Sequence, residues 1–273
     1  MAYGVMWAGK AAAGVAFPFI MSSLLDHFGS RTTLQVWAVS LVILTAPLLF
    51  FLKPRIPLSG SHTQRPLSWT FLKRSGFWML EIGNIVQAFG YLLPTTYLAS
   101  YVNDFGLSSI SGAVLIAVFS LASVPGGIVI GSLGDRLPPT TMILICSIGS
   151  AVAVFLFWGL AAQLVLLLIF AATYGFFAGG FSSTYPGILK EVKRVDEGVE
   201  TGLVMGFLLG GRGVGFMVSG PVSSALLQGG SKMMEHAKWG YSTQYGPVII
   251  CTGVTALLGS WGWMWKMLKT ALR

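Results

Sequence analysis

The chain has 273 residues, of which 54% are hydrophobic and only 10% charged, and its mean hydropathy is +0.75. An ordinary soluble domain carries about 25% charged residues, so this composition excludes one and points to an integral membrane protein. The net charge of +8 is no sign of nucleic-acid binding, because the basic residues gather at the ends of apolar runs, where they set topology.

Eight apolar runs lie near 2–25, 32–52, 77–101, 109–132, 141–160, 163–189, 201–228 and 246–267. Each is close to the roughly twenty residues that a transmembrane helix needs. Such long continuous runs exclude the short alternating strands of a closed barrel, so the expected fold class is all-α integral membrane with about eight spanning helices. Of the 17 lysines and arginines, twelve fall in one set of alternating loops and three in the other. This asymmetry places the basic loops, and with them both chain ends, in the cytoplasm. The first run has no basic leader and contains Lys10, so it does not read as a cleaved signal peptide.

In the first span, Gly4, Gly9, Gly14 and Pro18 suit close helix packing, and Lys10 is either a substrate-linked or proton-linked charge or a side chain that snorkels. The turn LLDHFGSR brings Asp26 and Arg31 together around Gly29 as a local loop-fixing pair. Residues 53–76 hold five basic residues, no acid and three prolines, the composition of a cytoplasmic linker that divides two spans from six.

The third span carries the clearest polar stripe. Glu81, Asn84, Gln87, Tyr91 and Thr95 fall within about a third of the helical wheel, so this face must line a cavity or meet another polar surface. Pro94 offers a bend where a freed carbonyl can meet ligand or water. Glu81 is a proton-coupling candidate. The fourth span ends with Gly127 and Gly131 on a small-residue surface, and Asp135 and Arg136 occupy a tight turn before Pro138 and Pro139 open the next helix. In the sixth span Gly175, Gly179, Ser182 and Pro186 share one arc, while Tyr174, Phe181 and Tyr185 share the next, which is either cavity-lining or packed.

The seventh span, GLVMGFLLGGRGVGFMVSGP, has Arg212 at its middle. Gly202, Gly206, Gly210, Gly213 and Gly220 form a narrow arc expected to pack closely, with Leu203, Val204, Phe207, Val214 and Val218 toward lipid. A central arginine costs about 2.5–3.5 kcal/mol on insertion scales, so it requires partners on other helices. By default an intramembrane arginine marks a functional site, here an anchor for an anionic substrate group or a partner for a carboxylate; the alternative is an arginine satisfied by backbone carbonyls that only fixes helix packing. Trp261, Trp263 and Trp265 suit an interfacial aromatic belt.

Catalytic chemistry finds no foothold. His27, His62 and His236 lie in loops, no nucleophile has a base at readable spacing, and no metal-ligand cluster or phosphate-cradling loop is present, so no enzyme activity, cofactor or metal is expected. Cys146 and Cys251 sit inside apolar runs as packing residues.

Gly131-x-x-x-Asp135-Arg136 between two spans resembles the loop signature of the major facilitator superfamily, although Leu137, Pro138 and Pro139 replace its usual glycine and basic pair. The turn from Asp26 to Arg31, LKPRIP at 52–57, QAFGYLLP at 87–94, GFFAGGFSSTYPGIL at 175–189 and GRGVGFMVSGPVSSALL at 211–227 resemble the monocarboxylate-transporter-like branch found in fungi. The resemblance implies a chain shortened at its N-terminus, matching helices 5–12 of a twelve-helix fold. Residues 1–52 would be the last two helices of an incomplete N-terminal half, 53–76 the linker, and 77–273 the six-helix C-terminal half. It also implies that Arg212, Tyr91, Gln87, Asn84 and Tyr174 face the central cavity, and that Asp135 and Arg136 act in the cytoplasmic gate.

The function expected is transport of a small organic solute, a monocarboxylate or other organic anion, by proton-coupled alternating access in the plasma membrane. The expected partners are therefore the lipid bilayer, an anionic solute and protons, and no nucleic acid. The alternative is a truncated membrane protein that transports nothing.

Overall fold

In the computed structural model, residues 2–51, 69–134, 136–195, 198–230, 240–263 and 265 are described, and no strand occurs among them. The helices are α1 (Ala2–Phe51), α2 (Ser75–Asp104), α3 (Ser109–Leu133), α4 (Pro139–Val152), α5 (Leu164–Gly180), α6 (Tyr185–Val195), α7 (Thr201–Gly230) and α8 (Gly246–Leu258). A π-helical turn at Ala153–Trp158 extends α4, and a 3-10 turn at Phe181–Thr184 joins α5 to α6. This is an all-α, multi-pass integral membrane protein.

Six helical stretches are long and apolar enough to cross a membrane: 12–51, 110–133, 139–158, 164–194, 201–230 and 246–263. Two expected spans are merged in the first of these. Gly29 breaks α1 with φ 73° and ψ 170°, a left-handed conformation that favours glycine. Residues twenty apart on an unbroken helix are about 30 Å apart, yet the rings of Phe17 and Trp37 meet edge to face at 4.6 Å. The chain therefore folds back at Gly29 into two antiparallel arms. Thr33 Oγ1 donates to the Gly29 carbonyl at 2.8 Å, whereas the expected Asp26–Arg31 pair does not form. Backbone geometry, rather than charge, fixes the corner. The helix α2 falls outside the six because its polar stripe lowers its hydropathy, although its 30 residues are ample to span.

Small residues decide which helices touch. The most extensive contact is between α3 and α5, and α1 packs on α3. A Cβ on Gly175 would strike the carbonyl oxygen of Phe119, and one on Gly126 would strike that of Phe176, so the α3 and α5 backbones meet directly. The seam runs through Gly126; of the expected Gly127 and Gly131, Gly127 is buried and a Cβ on Gly131 would stand 3.8 Å from Ser183 Cβ. A Cβ on Gly14 would stand 2.6 Å from Ser120 Cβ, so α1 leans on α3 as its glycines suggest.

The helix α2 lies against α7, α8 and α3. A Cβ on Gly83 would come 2.7 Å from the Gly259 carbonyl oxygen, just beyond α8. At the end of the bundle opposite Lys73 and Lys193, the Asp104 carboxylate accepts from Tyr245 Oη at 2.7 Å and Gln244 Nε2 at 2.6 Å.

The face of α7 differs from expectation. A Cβ on Gly202, Gly206, Gly210, Gly213 or Gly220 would meet nothing within 4 Å, so this stripe packs against none of the described residues. The buried arc is instead Val204, Leu208, Gly215 and Ser219. A Cβ on Gly215 would stand 2.5 Å from the Ile85 carbonyl oxygen and 2.9 Å from Ala88 Cβ. Val204, assigned to lipid from the wheel, is buried. The helix carries two glycine arcs, and the one that meets α2 holds Gly211 and Gly215, where Asn84 Nδ2 donates to the Leu208 carbonyl and Arg212 Nη1 donates to Gln87.

Two substitutions on α7 separate these faces. Gly215→Leu must overlap the α2 backbone and is expected to destabilise the protein by about 3 kcal/mol, the upper end for overpacking. Gly206→Leu enters open space and is expected to leave thermal unfolding in detergent nearly unchanged. Equal melting shifts for the two variants would contradict the observed rotation of α7.

Candidate functional site

The site forms where α2, α6 and α7 converge. Gly211 and Gly215 bring α7 close to α2 beside Glu81 and Ile85, which sets Arg212 at the edge of the contact, half-buried. Its Nη1 donates to Gln87 Oε1 at 3.0 Å and reaches Tyr185 Oη at 3.5 Å. The guanidinium carbon lies 4.8 Å from the Tyr91 ring centre, 5.3 Å from that of Phe216 and 5.9 Å from that of Phe181. Rings at this distance attract a cation through their negative faces. Among the described residues no carboxylate forms an ion pair with Arg212, and its Nε and Nη2 have no hydrogen-bond partner.

Tyr185 owes its position to the break before it. The α5 helix tightens into the 3-10 turn at Phe181–Thr184 and restarts at Tyr185. Pro186 lacks the N–H that would continue the regular ladder through this point. The Tyr185 phenol donates to Asn84 Oδ1 at 2.8 Å, and Asn84 Nδ2 donates to the Leu208 carbonyl at 2.7 Å. A continuous polar chain thus runs from α7 through α2 to α6 and back to Arg212. The polar stripe of α2 meets another polar surface, as its composition requires.

Glu81 is 3% exposed. It interacts with Asn84 one turn along the helix, and its Oε2 has no hydrogen-bond partner among the described residues. A carboxyl oxygen buried without a partner costs free energy.

Arg212, Gln87, Asn84 and Tyr91 are brought together, with Asn84 and Gln87 buried and Arg212 and Tyr91 half-buried. Tyr174 is not at the open surface. It is 1% exposed, stacked behind Tyr91 at 6.5 Å, and its phenol reaches toward the Gly90 carbonyl at 3.5 Å. That carbonyl lies four residues before Pro94, where proline removes the helical donor. A tyrosine therefore occupies the carbonyl that the sequence suggested for ligand or water. Thr95, also on the stripe, donates to its own helix at Leu92.

Asp135 lies outside the described residues. Arg136 is exposed in the α3–α4 turn, with no contact to the Arg212 cluster. The side chain of Lys10 and the residues His62 and His236 also lie outside the described part. Cys146 and Cys251 are free thiols. Sequence reasoning missed Tyr185 as a partner of Arg212, and missed Phe181 and Phe216 as walls of the site. The available signal was the arc of Phe181 and Tyr185, four residues apart, on a span broken by Gly180 and Pro186.

The sequence profile of the Major Facilitator Superfamily matches residues 1–197, and the chain belongs to that family. Among its relatives is MFS-type transporter 1 of an Ophiocordyceps species, 25% identical over 95% of this chain and 55% of that protein. The MFS-type transporter pynF of Aspergillus niger is 23% identical over 94% of this chain and 58% of its own length. The aspyridones efflux protein apdF of Emericella nidulans is 24% identical over 83% of this chain and 45% of its own. The chain thus spans about half the length of these relatives.

Replacing Gln87 by leucine removes the acceptor that faces Arg212 Nη1. A hydrogen bond to a charged group contributes about 1.5–3 kcal/mol, so Gln87→Leu is expected to lower stability by about 2 kcal/mol. Thermal unfolding in detergent micelles measures it, and an unchanged midpoint would show that the bond contributes nothing.

Proposed function

We propose that this chain forms the substrate-binding part of a secondary transporter for a small organic anion, with Arg212 as the anion anchor. The observation that carries the proposal is a half-buried guanidinium within a membrane bundle, held by neutral partners only. A cation left without an internal counter-charge attracts an external one, and a carboxylate fits the planar fork of arginine. Family membership and relatives named as efflux proteins support movement of a solute across a membrane.

In this mechanism the substrate carboxylate meets Nε and Nη2 of Arg212, while Gln87 and Tyr185 hold Nη1. Asn84 orients Tyr185, Tyr91 forms one wall, and Tyr174 supports Tyr91 from behind. Glu81 takes up and releases the coupling proton, which gives its unsatisfied Oε2 a purpose. Substrate release follows alternating access, with the bundle rocking against the other half of the fold. Asp135 and Arg136 act in the cytoplasmic gate. We place this chain as helices 5–12 of a twelve-helix carrier, in the monocarboxylate-transporter-like branch found in fungi, in the plasma membrane with both ends of the chain cytoplasmic.

The test is movement of a panel of labelled organic acids by cells expressing the native gene product, with and without a pH gradient. Arg212→Ala is expected to lower transport about 30-fold or more, the loss of a charge-assisted contact, while the variant still reaches the membrane. Normal transport by that variant would remove the anchor role. Glu81→Gln is expected to abolish the response to the gradient while exchange of unlabelled for labelled acid persists. Absence of any movement by the unaltered protein would favour the non-transporting alternative.

A further inference from the structure

Two glycines on the buried side of α7 meet α2 in different ways. A Cβ on Gly215 would stand 2.5 Å from the Ile85 carbonyl oxygen and 3.0 Å from the Phe89 nitrogen, so the α2 backbone lies against it. One turn earlier, a Cβ on Gly211 would strike Glu81 Oε1 and stand 2.8 Å from Glu81 Cδ and 3.1 Å from Ile85 Cγ1. These three are side-chain atoms, and the nearest is the tip of a flexible acid. Packed backbone cannot make way for a methyl group, whereas a glutamate can change rotamer. The contact at Gly215 is thus a joint between helices, and the contact at Gly211 is a seat for one carboxyl group.

The seat lies one residue before Arg212. Glu81 is 3% exposed there, and its Oε2 has no hydrogen-bond partner among the described residues. Asn84, its neighbour on α2, is neutral. The charged and titratable groups that the surrounding helices bring near it are Arg212 on α7 and the Tyr185 phenol on α6. The other charges of α6 lie at its far end, from Lys190 on, and α3 and α8 carry none. Lys73 and Arg74 stand exposed ahead of the first turn of α2. A negative charge on Glu81 therefore acts mainly on Arg212, with little water to screen it. While Glu81 keeps its proton, no described counter-charge competes for the guanidinium. Once the proton is lost, the carboxylate weakens the field that draws an anion, so anion affinity falls as pH rises through the titration of Glu81. By reciprocity, anion binding favours proton uptake.

From this contact we infer that Gly211 is the positioning residue of the coupling, because only a bare Cα lets the Glu81 carboxyl lie against α7 beside Arg212. The inference rests on Arg212 as anion anchor and Glu81 as proton carrier, as proposed above, and adds the residue that sets their separation.

Binding of labelled lactate to the protein in lipid nanodiscs tests it without transport. Lactate stays an anion between about pH 5.5 and 8.5, so a change in affinity over that range belongs to the protein. The unaltered protein is expected to bind about tenfold tighter at the acid end, a usual size for coupling between two sites, and Glu81→Gln is expected to remove the difference. Gly211→Ala is expected to remove it too, with the affinity at the acid end unchanged. Gly213→Ala, the same change two residues on, enters open space and is expected to keep the full pH dependence. Glu81→Asp withdraws the carboxyl from the same seat with α7 intact. It is expected to flatten the profile as Gly211→Ala does, and it carries the test if size-exclusion profiles show that Gly211→Ala does not fold. Full pH dependence in folded Gly211→Ala or in Glu81→Asp, or loss of binding at every pH in folded Gly211→Ala, overturns the inference while leaving Glu81 as the proton carrier. A pH dependence that survives Glu81→Gln, or that the unaltered protein lacks, overturns the coupling role of Glu81 and this inference with it. No lactate binding at any pH overturns the anchor as well.

Discussion

Placing one positive charge in the middle of a membrane helix constrains everything around it. The medium cannot solvate Arg212, so the protein must supply donors' partners and polarisable faces at short range. It does so with Gln87 from α2, Tyr185 from the start of α6, and rings from α2, α7 and the 3-10 turn. These contacts join three helices far apart in sequence. None of the described partners neutralises the charge, so the site solvates the cation through Nη1 and the ring faces and leaves its Nε and Nη2 edge without a hydrogen-bond partner among the described residues.

That arrangement depends on backbones that approach closely. Gly211 and Gly215 let α7 settle against α2, and Gly83 does the same for the end of α8. In hydrocarbon there is no hydrophobic force between helices, so close packing and interhelical hydrogen bonds must supply the association. Small residues and polar residues are therefore two parts of one device. The glycines bring the helices within reach, and Asn84, Gln87 and Tyr185 then bond across them. The α3–α5 seam, built on Gly126 and Gly175, gives this cluster a rigid back wall.

Departures from regular helix are placed where they serve the site. Pro94 frees the Gly90 carbonyl, and Tyr174 reaches toward it from α5 while stacking behind Tyr91. Phe181 in the 3-10 turn and Tyr185 four residues on both reach Arg212. Glu81 is the exception, a carboxyl group with one oxygen unsatisfied among the described residues in the middle of this otherwise bonded network. Glu81 lies one turn from Asn84, which accepts from the Tyr185 phenol.

Composition and the length of the apolar runs were sufficient to establish an all-helical membrane protein, because a bilayer admits few solutions for a backbone whose polar groups must be satisfied internally. The polar stripe of α2 and the central Arg212 were equally legible, since periodicity places side chains on a face without knowledge of neighbours. Neighbours are what periodicity cannot supply. The five-glycine arc of α7 was the natural choice for a packing face, yet the protein buries the arc of Gly211 and Gly215, because interhelical hydrogen bonds from Arg212 and Asn84 outweigh smoothness alone. Tyr174 and Tyr185 share an arc that the sequence left as either cavity-lining or packed; the structure brings Tyr185 to the guanidinium and packs Tyr174 in the core behind Tyr91. The sequence by itself determined the medium, the elements and the charge that had to be accommodated. Only the tertiary structure decided which side chains accommodate it, because that depends on helix rotation and on contacts between residues up to about 125 positions apart.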